Sequence, residues 1–209
     1  MTNGEYEFIN LCSILNIRYE RIVEGKDKSP DFLIYLNDNL IYIEIKDLET
    51  NPDEKSAINE LSENDFAVWG NSKPGNRIRQ KIKEGSVQLR KYCANKYPSI
   101  IIIHDNRSSQ VSILSEYEIK TGMYGIEHRT LDKTGNIIKR FGSDRRLTEN
   151  HGTYISAVGI LKENNMLDLY LNYFSDIPLD HHQLKQFKGV KVYALSNDPR
   201  EKFAEWKKL

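Results

Sequence analysis

Residues 30 to 46 read Pro30-Asp31-Phe32-Leu33-Ile34-Tyr35-Leu36-Asn37-Asp38-Asn39-Leu40-Ile41-Tyr42-Ile43-Glu44-Ile45-Lys46. Two runs rich in β-branched and aromatic residues flank Asn37-Asp38, a dipeptide suited to a tight turn, and together they predict a β-hairpin. With Asn37 and Asp38 as the loop residues, facing positions sum to 75, which sets Asp31 directly opposite Glu44. Alternate residues of a strand share a face. Glu44 and Lys46 therefore point the same way as Asp31, while Ile41, Ile43 and Ile45 point into a core. One side of the hairpin gathers two carboxylates and an ammonium; the other is apolar.

Upstream, Phe8, Leu11, Cys12 and Leu15 recur at helical spacing and predict a helix over 5–15, and Arg18 to Val23 alternates as a strand. Downstream, Ile78, Ile82, Leu89 and Tyr92 predict a long helix over 76–95, weakened by Gly85, and Ser99 to His104 reads as a buried strand. The first hundred residues are thus α-β-β-β-α-β, with 49–75 inserted before the second helix. Further on come a helix over 112–123, hairpins over 124–140 and 154–173, a strand over 191–195 and a closing helix over 199–207. The fold class is α/β in the broad sense and α+β in detail, a mixed sheet flanked by helices. No linker or repeat divides the chain. Residues 1–209 are expected as one domain, with a core over about 4–104 and a β-rich extension over about 111–209.

Composition narrows the function classes. Lys+Arg and Asp+Glu each number 30 in 209 residues, so bulk positive charge is not what would hold nucleic acid or an anionic membrane. Any polyanion must meet a local patch. At 39% apolar and 29% charged residues the chain reads as globular, neither disordered nor membrane-embedded. Its apolar runs, Ile100 to Ile103 among them, are far short of the ~20 residues of a membrane-spanning helix. The start shows no basic region leading into an apolar stretch, and Cys12 and Cys93 lack metal-ligand spacing, so a reduced, cytoplasmic protein is expected. His104 and His181-His182 lack zinc-site spacing, and no serine or cysteine stands in a nucleophile motif.

Two facing acids and a lysine suit phosphodiester hydrolysis. Asp31 and Glu44, with a backbone carbonyl and waters, would make a hard-oxygen site for Mg²⁺, with Mn²⁺ as a substitute. Lys46 beside the ion would orient or help deprotonate an attacking water and stabilise charge on the phosphoryl oxygens. The motif, Pro30-Asp31 followed by Glu44-Ile45-Lys46, resembles the signature of the PD-(D/E)xK nuclease superfamily, and the expected element order is similar to that superfamily's core over about residues 4 to 104. The resemblance implies a restriction-endonuclease-like fold and metal-dependent cleavage of DNA rather than RNA, leaving 5′ phosphates. Asp31 and Glu44 would be the metal ligands and Lys46 the catalytic lysine. It also implies an acid on the first helix: Glu5, on the stripe of Phe8 and Cys12, is the candidate ahead of Glu7. Gln88-Leu89-Arg90-Lys91-Tyr92 is similar to the Gln-x-x-x-Tyr of the RecB-like branch, which makes Gln88 a supporting group and leaves Tyr92 to the core. A role in restriction or anti-phage defence follows by analogy, and a homodimer or a partner in a complex stays open.

Charge is unevenly laid out. From Asp47 to Asp65 there are seven acids and one base; from Lys73 to Lys96 there are eight bases and one acid. Arg77, Arg79 and Lys81 are the expected contacts to a phosphate backbone, unless the two segments neutralise each other. Lys139-Arg140 and Arg145-Arg146 form a second basic cluster. Two rival readings use the same residues. One is a non-catalytic nuclease-like module that binds nucleic acid or scaffolds a complex. The other is an interaction domain whose Glu/Lys stripe is solvated surface, which requires that Asp31 and Glu44 do not converge.

Overall fold

A computed structural model describes residues 1–209 apart from 24, 26, 27, 38, 69–72, 94, 95, 113, 185, 186, 202 and 203, and apart from the side chains of Lys139, Arg140 and Glu163. Helix α1 (Asn3–Ile14) leads into strands β1 (Arg18–Arg21), β2 (Phe32–Leu36) and β3 (Asn39–Leu48). Helices α2 (Pro52–Glu63) and α3 (Asn76–Cys93) then cross over to β4 (Ser99–Asp105). Next come α4 (Glu116–Tyr124), the pair β5 (Glu127–Leu131) and β6 (Ile137–Phe141), and the pair β7 (Ala157–Lys162) and β8 (Met166–Leu171). A single helical turn α5 (His181–Leu184) and strands β9 (Val190–Leu195) and β10 (Trp206–Lys208) end the chain. Eight strands form one mixed sheet in the order β1-β2-β3-β4-β7-β8-β9-β10, and β5-β6 is a separate two-stranded ribbon.

The hairpin has the register its turn dictates: Phe32 faces Ile43 and Leu36 faces Asn39. Asn37 takes the left-handed turn conformation, φ 53°, that asparagine tolerates; its partner in the turn, Asp38, lies outside the described residues. Strand β4 runs parallel to both β3 and β7, and helices cover both of its faces, which explains its unbroken isoleucines. Ile100 and Ile102 pack with Phe8, Leu11 and Cys12 of α1 and with Ile43 and Ile45. Ile101 and Ile103 pack with Ile78, Ile82 and Leu89 of α3 and with Met123 of α4. The sheet is therefore held between two apolar layers, and Glu44 and Lys46 project into the one that α3 covers.

Two elements differ from expectation. The stretch expected as a plain insertion holds α2, which Asn51 caps, Pro52 opens and Glu54 locks by accepting a hydrogen bond from Asn51 N–H at 2.9 Å. The expected closing helix over 199–207 is replaced by β10, antiparallel to β9, with Trp206 packed on Tyr124 and Tyr170. A tail this short is marginal as an isolated helix, and it gains more by pairing and by burying its indole. Among the described residues, no helix is long and apolar enough to cross a membrane.

Candidate active site

Asp31 stands just before β2 and prolongs the hairpin ladder by one rung. Its N–H donates to the Ile43 carbonyl at 3.1 Å, and its Oδ2 accepts from the Ile45 N–H at 2.7 Å. The carboxylate thus rests on the peptide that follows Glu44. Glu44 itself has no exposed surface. A carboxylate in that position needs a cation close by, because an isolated buried charge is prohibitively expensive. Lys46 supplies it: Nζ lies 2.5 Å from Glu44 Oε1, on a side chain that keeps 20% of its surface exposed.

Helix α3 completes the arrangement. Gln88, buried, accepts from Lys46 Nζ at 2.8 Å and donates through Nε2 to the Ser29 carbonyl at 3.1 Å. One side chain therefore fixes the lysine and ties it to the segment that carries Asp31. Gly85, one turn earlier, has Glu44 and Ile101 where its side chain would be, so glycine is what lets α3 lie this close to β3. Tyr92, one turn after Gln88, packs on Tyr42, centroid to centroid 6.3 Å.

Helix α1 lies against the other face of the sheet. The N–H of Gly4 donates to Asp47 Oδ1 at 2.9 Å, and the absent side chain of Gly4 leaves room for Asp47 and Ile45. This seats Glu5 at the same end of the sheet as Asp31, buried, where its Oε2 accepts from Arg21 at 3.0 Å. Arg21, and not Lys46, is the partner of Glu5. Glu7 is exposed. His104 Nδ1 lies 3.1 Å from Asp47 Oδ1, and this hydrogen bond raises the imidazole above its ordinary 6.5 although burial works against it. Burial pushes Cys12 and Cys93 up to about 12, so neither thiol is a nucleophile near neutral pH.

The three cations expected to contact a phosphate backbone have different neighbours, and of the three only Arg79 lines the groove beside Lys46. Arg77 Nη1 donates to both carboxylate oxygens of Glu54 at 2.8 Å, so it neutralises the acidic segment through α2. Lys81 pairs with Glu84 at 3.3 Å along its own helix. Arg79 is 5% exposed and donates to Asn76 Oδ1 at 3.3 Å and to the Thr121 carbonyl at 3.2 Å. The reason is helical geometry: Arg77 and Lys81 are one turn apart on one face, where each meets its own acid, whereas Arg79, two residues from either, points to the buried side.

Two clefts flank these residues. The larger, about 740 Å³, lies between α2 and the start of α3, and its charges balance internally: Glu54 binds both Arg77 and Arg107, at 2.8 and 2.9 Å. Burial would raise the Glu54 carboxyl, but hydrogen bonds from Asn51 N–H and the two guanidiniums hold it below its ordinary value. The second, a groove of about 680 Å³, opens at Lys46 and Gln88 and is lined also by Lys28, Arg79, Lys83, Glu84 and Arg146. Composition alone does not reveal Lys28, Lys83 and Arg146 as neighbours; the Arg145-Arg146 cluster was the available signal. The other half of that cluster, the side chains of Lys139 and Arg140, lies outside the described residues.

Among the described residues, no group of three or more His, Cys, Asp or Glu side chains stands ready as a metal cage. Asp31 and Glu44 offer a smaller set, two hard-oxygen carboxylates at facing positions of the hairpin, behind the groove that Lys46 lines. In donor type and number they are what Mg²⁺ would need, since it binds through one or two carboxylates together with substrate oxygens and waters. No protein-family model matches the chain, and neither a curated protein nor a solved structure matches it.

Proposed function

We propose that the chain is a metal-dependent phosphodiesterase acting on DNA, built on a restriction-endonuclease-like core with the PD-(D/E)xK arrangement. One observation carries this reading: Lys46 is held between Glu44 at 2.5 Å and Gln88 at 2.8 Å, with Asp31 on the adjoining peptide, at the mouth of a cation-lined groove. The order α1, β1, β2, β3, α3, β4, with α2 inserted, agrees with such a core. The presence of Gln88 in contact with the lysine supports a RecB-like variant of it.

Each residue has a definable task. Asp31 and Glu44 would hold the divalent ion. Mg²⁺ bound there would neutralise phosphoryl charge and make a coordinated water more acidic. Lys46, restrained by Gln88, presents its ammonium to the groove, where it would orient the attacking water and stabilise developing negative charge. Gln88 keeps the lysine from swinging into solvent, a positioning effect of the kind that sets effective molarity. Glu5, fixed by Arg21 at the margin, is a positioning residue at most.

A second reading has an observation in its favour. Glu44 is fully buried and does not line the groove, because Lys46 stands in front of it. A non-catalytic module that binds nucleic acid through the same groove would retain that closed pair. Plasmid nicking in Mg²⁺, Mn²⁺ or EDTA separates the two, with Asp31→Asn and Glu44→Gln as controls. Nicking that needs metal and both carboxylates supports the enzyme. Absence of cleavage with every metal, together with no heat of Mg²⁺ binding by calorimetry, leaves the binding module.

A further inference from the structure

The groove differs from the larger cleft in one physical respect: among the described residues its positive charge is not balanced. Glu84, the one described acid on its wall, is taken by Lys81 at 3.3 Å, and Lys46 is taken by Glu44. Among the described residues, no carboxylate pairs with Lys28, Arg79, Lys83 or Arg146. Arg79 is the telling case. It is 95% buried, its acceptors at Asn76 and Thr121 are neutral, and its Nε is without a partner among the described residues. A guanidinium in that setting is costly to bury unless a counter-charge arrives. An anion in the groove would provide it.

Arg146 has a matching position. It follows the β5-β6 ribbon, and the N–H groups of Arg146 and Leu147 both donate to the Met123 carbonyl, at 3.1 and 2.9 Å. That double anchor brings a cation from the extension to the wall of the core's groove, half-buried and with its Nε again unpartnered among the described residues. Among the described residues, no aromatic side chain lines the groove, and Val87 is its apolar contribution. Stacking, the usual way to hold a base of a single strand, has no platform among those residues. A volume of about 680 Å³ is on the scale of a pocket for a small ligand, about 300–1,000 Å³, so it admits a short length of one strand.

We infer that the groove reads backbone and not bases: Arg79 as a charged floor, with Lys28, Lys83 and Arg146 as walls, binds consecutive phosphates of one nucleic-acid strand next to the bond presented to Lys46. This deepens the nuclease reading and rests on it for the nature of the polyanion. Fluorescence anisotropy in EDTA tests it without catalysis, using a labelled single-stranded oligonucleotide and an abasic deoxyribose-phosphate strand of the same length, each across a salt series.

The abasic strand is expected to bind within about threefold of the oligonucleotide. Each of Lys28→Gln, Lys83→Gln and Arg146→Gln should flatten the salt slope by about 0.7, the value per phosphate contact on single strands. Arg77→Gln, on the balanced side, should leave the slope unchanged. Arg146→Lys keeps the charge and should keep the slope, which separates a phosphate contact from a packing defect. If Arg146→Gln does not fold, the exposed Lys28 and Lys83 carry the test. An abasic strand bound more than tenfold more weakly, or unchanged slopes in Lys28→Gln and Lys83→Gln, overturns the inference. Cleavage is scored separately. Flattened slopes without cleavage remove the enzyme and keep the groove, and cleavage with unchanged slopes does the reverse.

Discussion

Gly85 of α3 lies so close to Glu44 of β3 that a Cβ placed there would sit 3.1 Å from Glu44 Cγ and 3.2 Å from two Ile101 carbons. The helix therefore reads Glu44 by contact, and any side chain at 85 is transmitted to the carboxylate. Gly85→Ala gains up to about 1 kcal/mol of helix propensity and loses a similar amount or more to crowding. Thermal stability should change by no more than about 1 kcal/mol while cleavage falls about tenfold or more. An alanine variant with full activity would mean that Glu44 is not held in a critical position.

The Glu44–Lys46 pair also bears on stability. Lys46→Ala strips the 2.5 Å cation from a carboxylate with no exposure, and urea titration should show a loss of about 3 kcal/mol. Removing both charges, as Glu44→Gln with Lys46→Met, should recover most of that loss. If Mg²⁺ occupies the same carboxylates, millimolar Mg²⁺ should stabilise Lys46→Ala more than wild type. A single variant as stable as wild type would show that Glu44 draws its compensation elsewhere.

Gln88 predicts a kinetic signature. Gln88→Ala frees Lys46 and the Ser29 carbonyl from their hydrogen bonds, which costs about 1 kcal/mol in stability. The expected kinetic result is a fall in kcat of about tenfold or more with KM within about twofold, since the residue positions a group and does not touch substrate. A change confined to KM would make Gln88 a substrate contact instead.

Glu5 and Glu7 offer a comparison on one helix. Glu5→Gln loses the ion pair with Arg21 and should lower both activity and melting temperature, by the modest amounts expected of a partly exposed pair. Glu7→Gln, on the exposed face, should do neither. The opposite ranking would show that α1 meets the site by its other face.

The Asp47–His104 contact sets a pH dependence of known sign. The hydrogen bond raises His104 above 6.5, so its stabilisation is complete below 6.5 and is lost as pH rises through the raised value. Burial alone would raise Asp47, but hydrogen bonds from His104, Thr2 and Gly4 hold it below 3.8; its contribution is present above 3.8 and lost as pH falls through the lowered value. Melting temperatures from about pH 5.5 to about 8.5 should decline for wild type and be flatter for His104→Asn. Parallel curves would assign the slope to other groups.

The hairpin was the most legible part of the sequence, because a two-residue turn leaves one register and that register aligns Asp31 with Glu44. The buried face of α1 followed from Phe8 and Cys12. Helix α2 is missed when its stretch reads as a bare insertion; the signal that would have found it is Asn51-Pro52-Asp53-Glu54, a cap, an opening proline and a returning glutamate. The groove was not legible. Lys28, Lys83 and Arg146 are scattered along the chain, and only tertiary packing gathers them; conversely, α2 removes Arg77 from a run of charges that looks continuous on paper. Gly85 shows the same limit, since a residue that weakens a helix locally is what permits the approach of that helix to Glu44.

The eight-stranded sheet ends on β1, four residues with Arg18, Glu20 and Arg21 exposed, and on β10, three residues with Lys207 and Lys208 exposed. Both margins are too brief and too charged to template another strand, which is how open sheets avoid recruiting copies of themselves. The sticky segments, β4 and β7, sit with three strands on either side of them. The hazard in this chain is thus confined to the interval before the outer strands dock, when a run of four isoleucines has no neighbour, and the order in which the margins close governs the yield of soluble protein during synthesis.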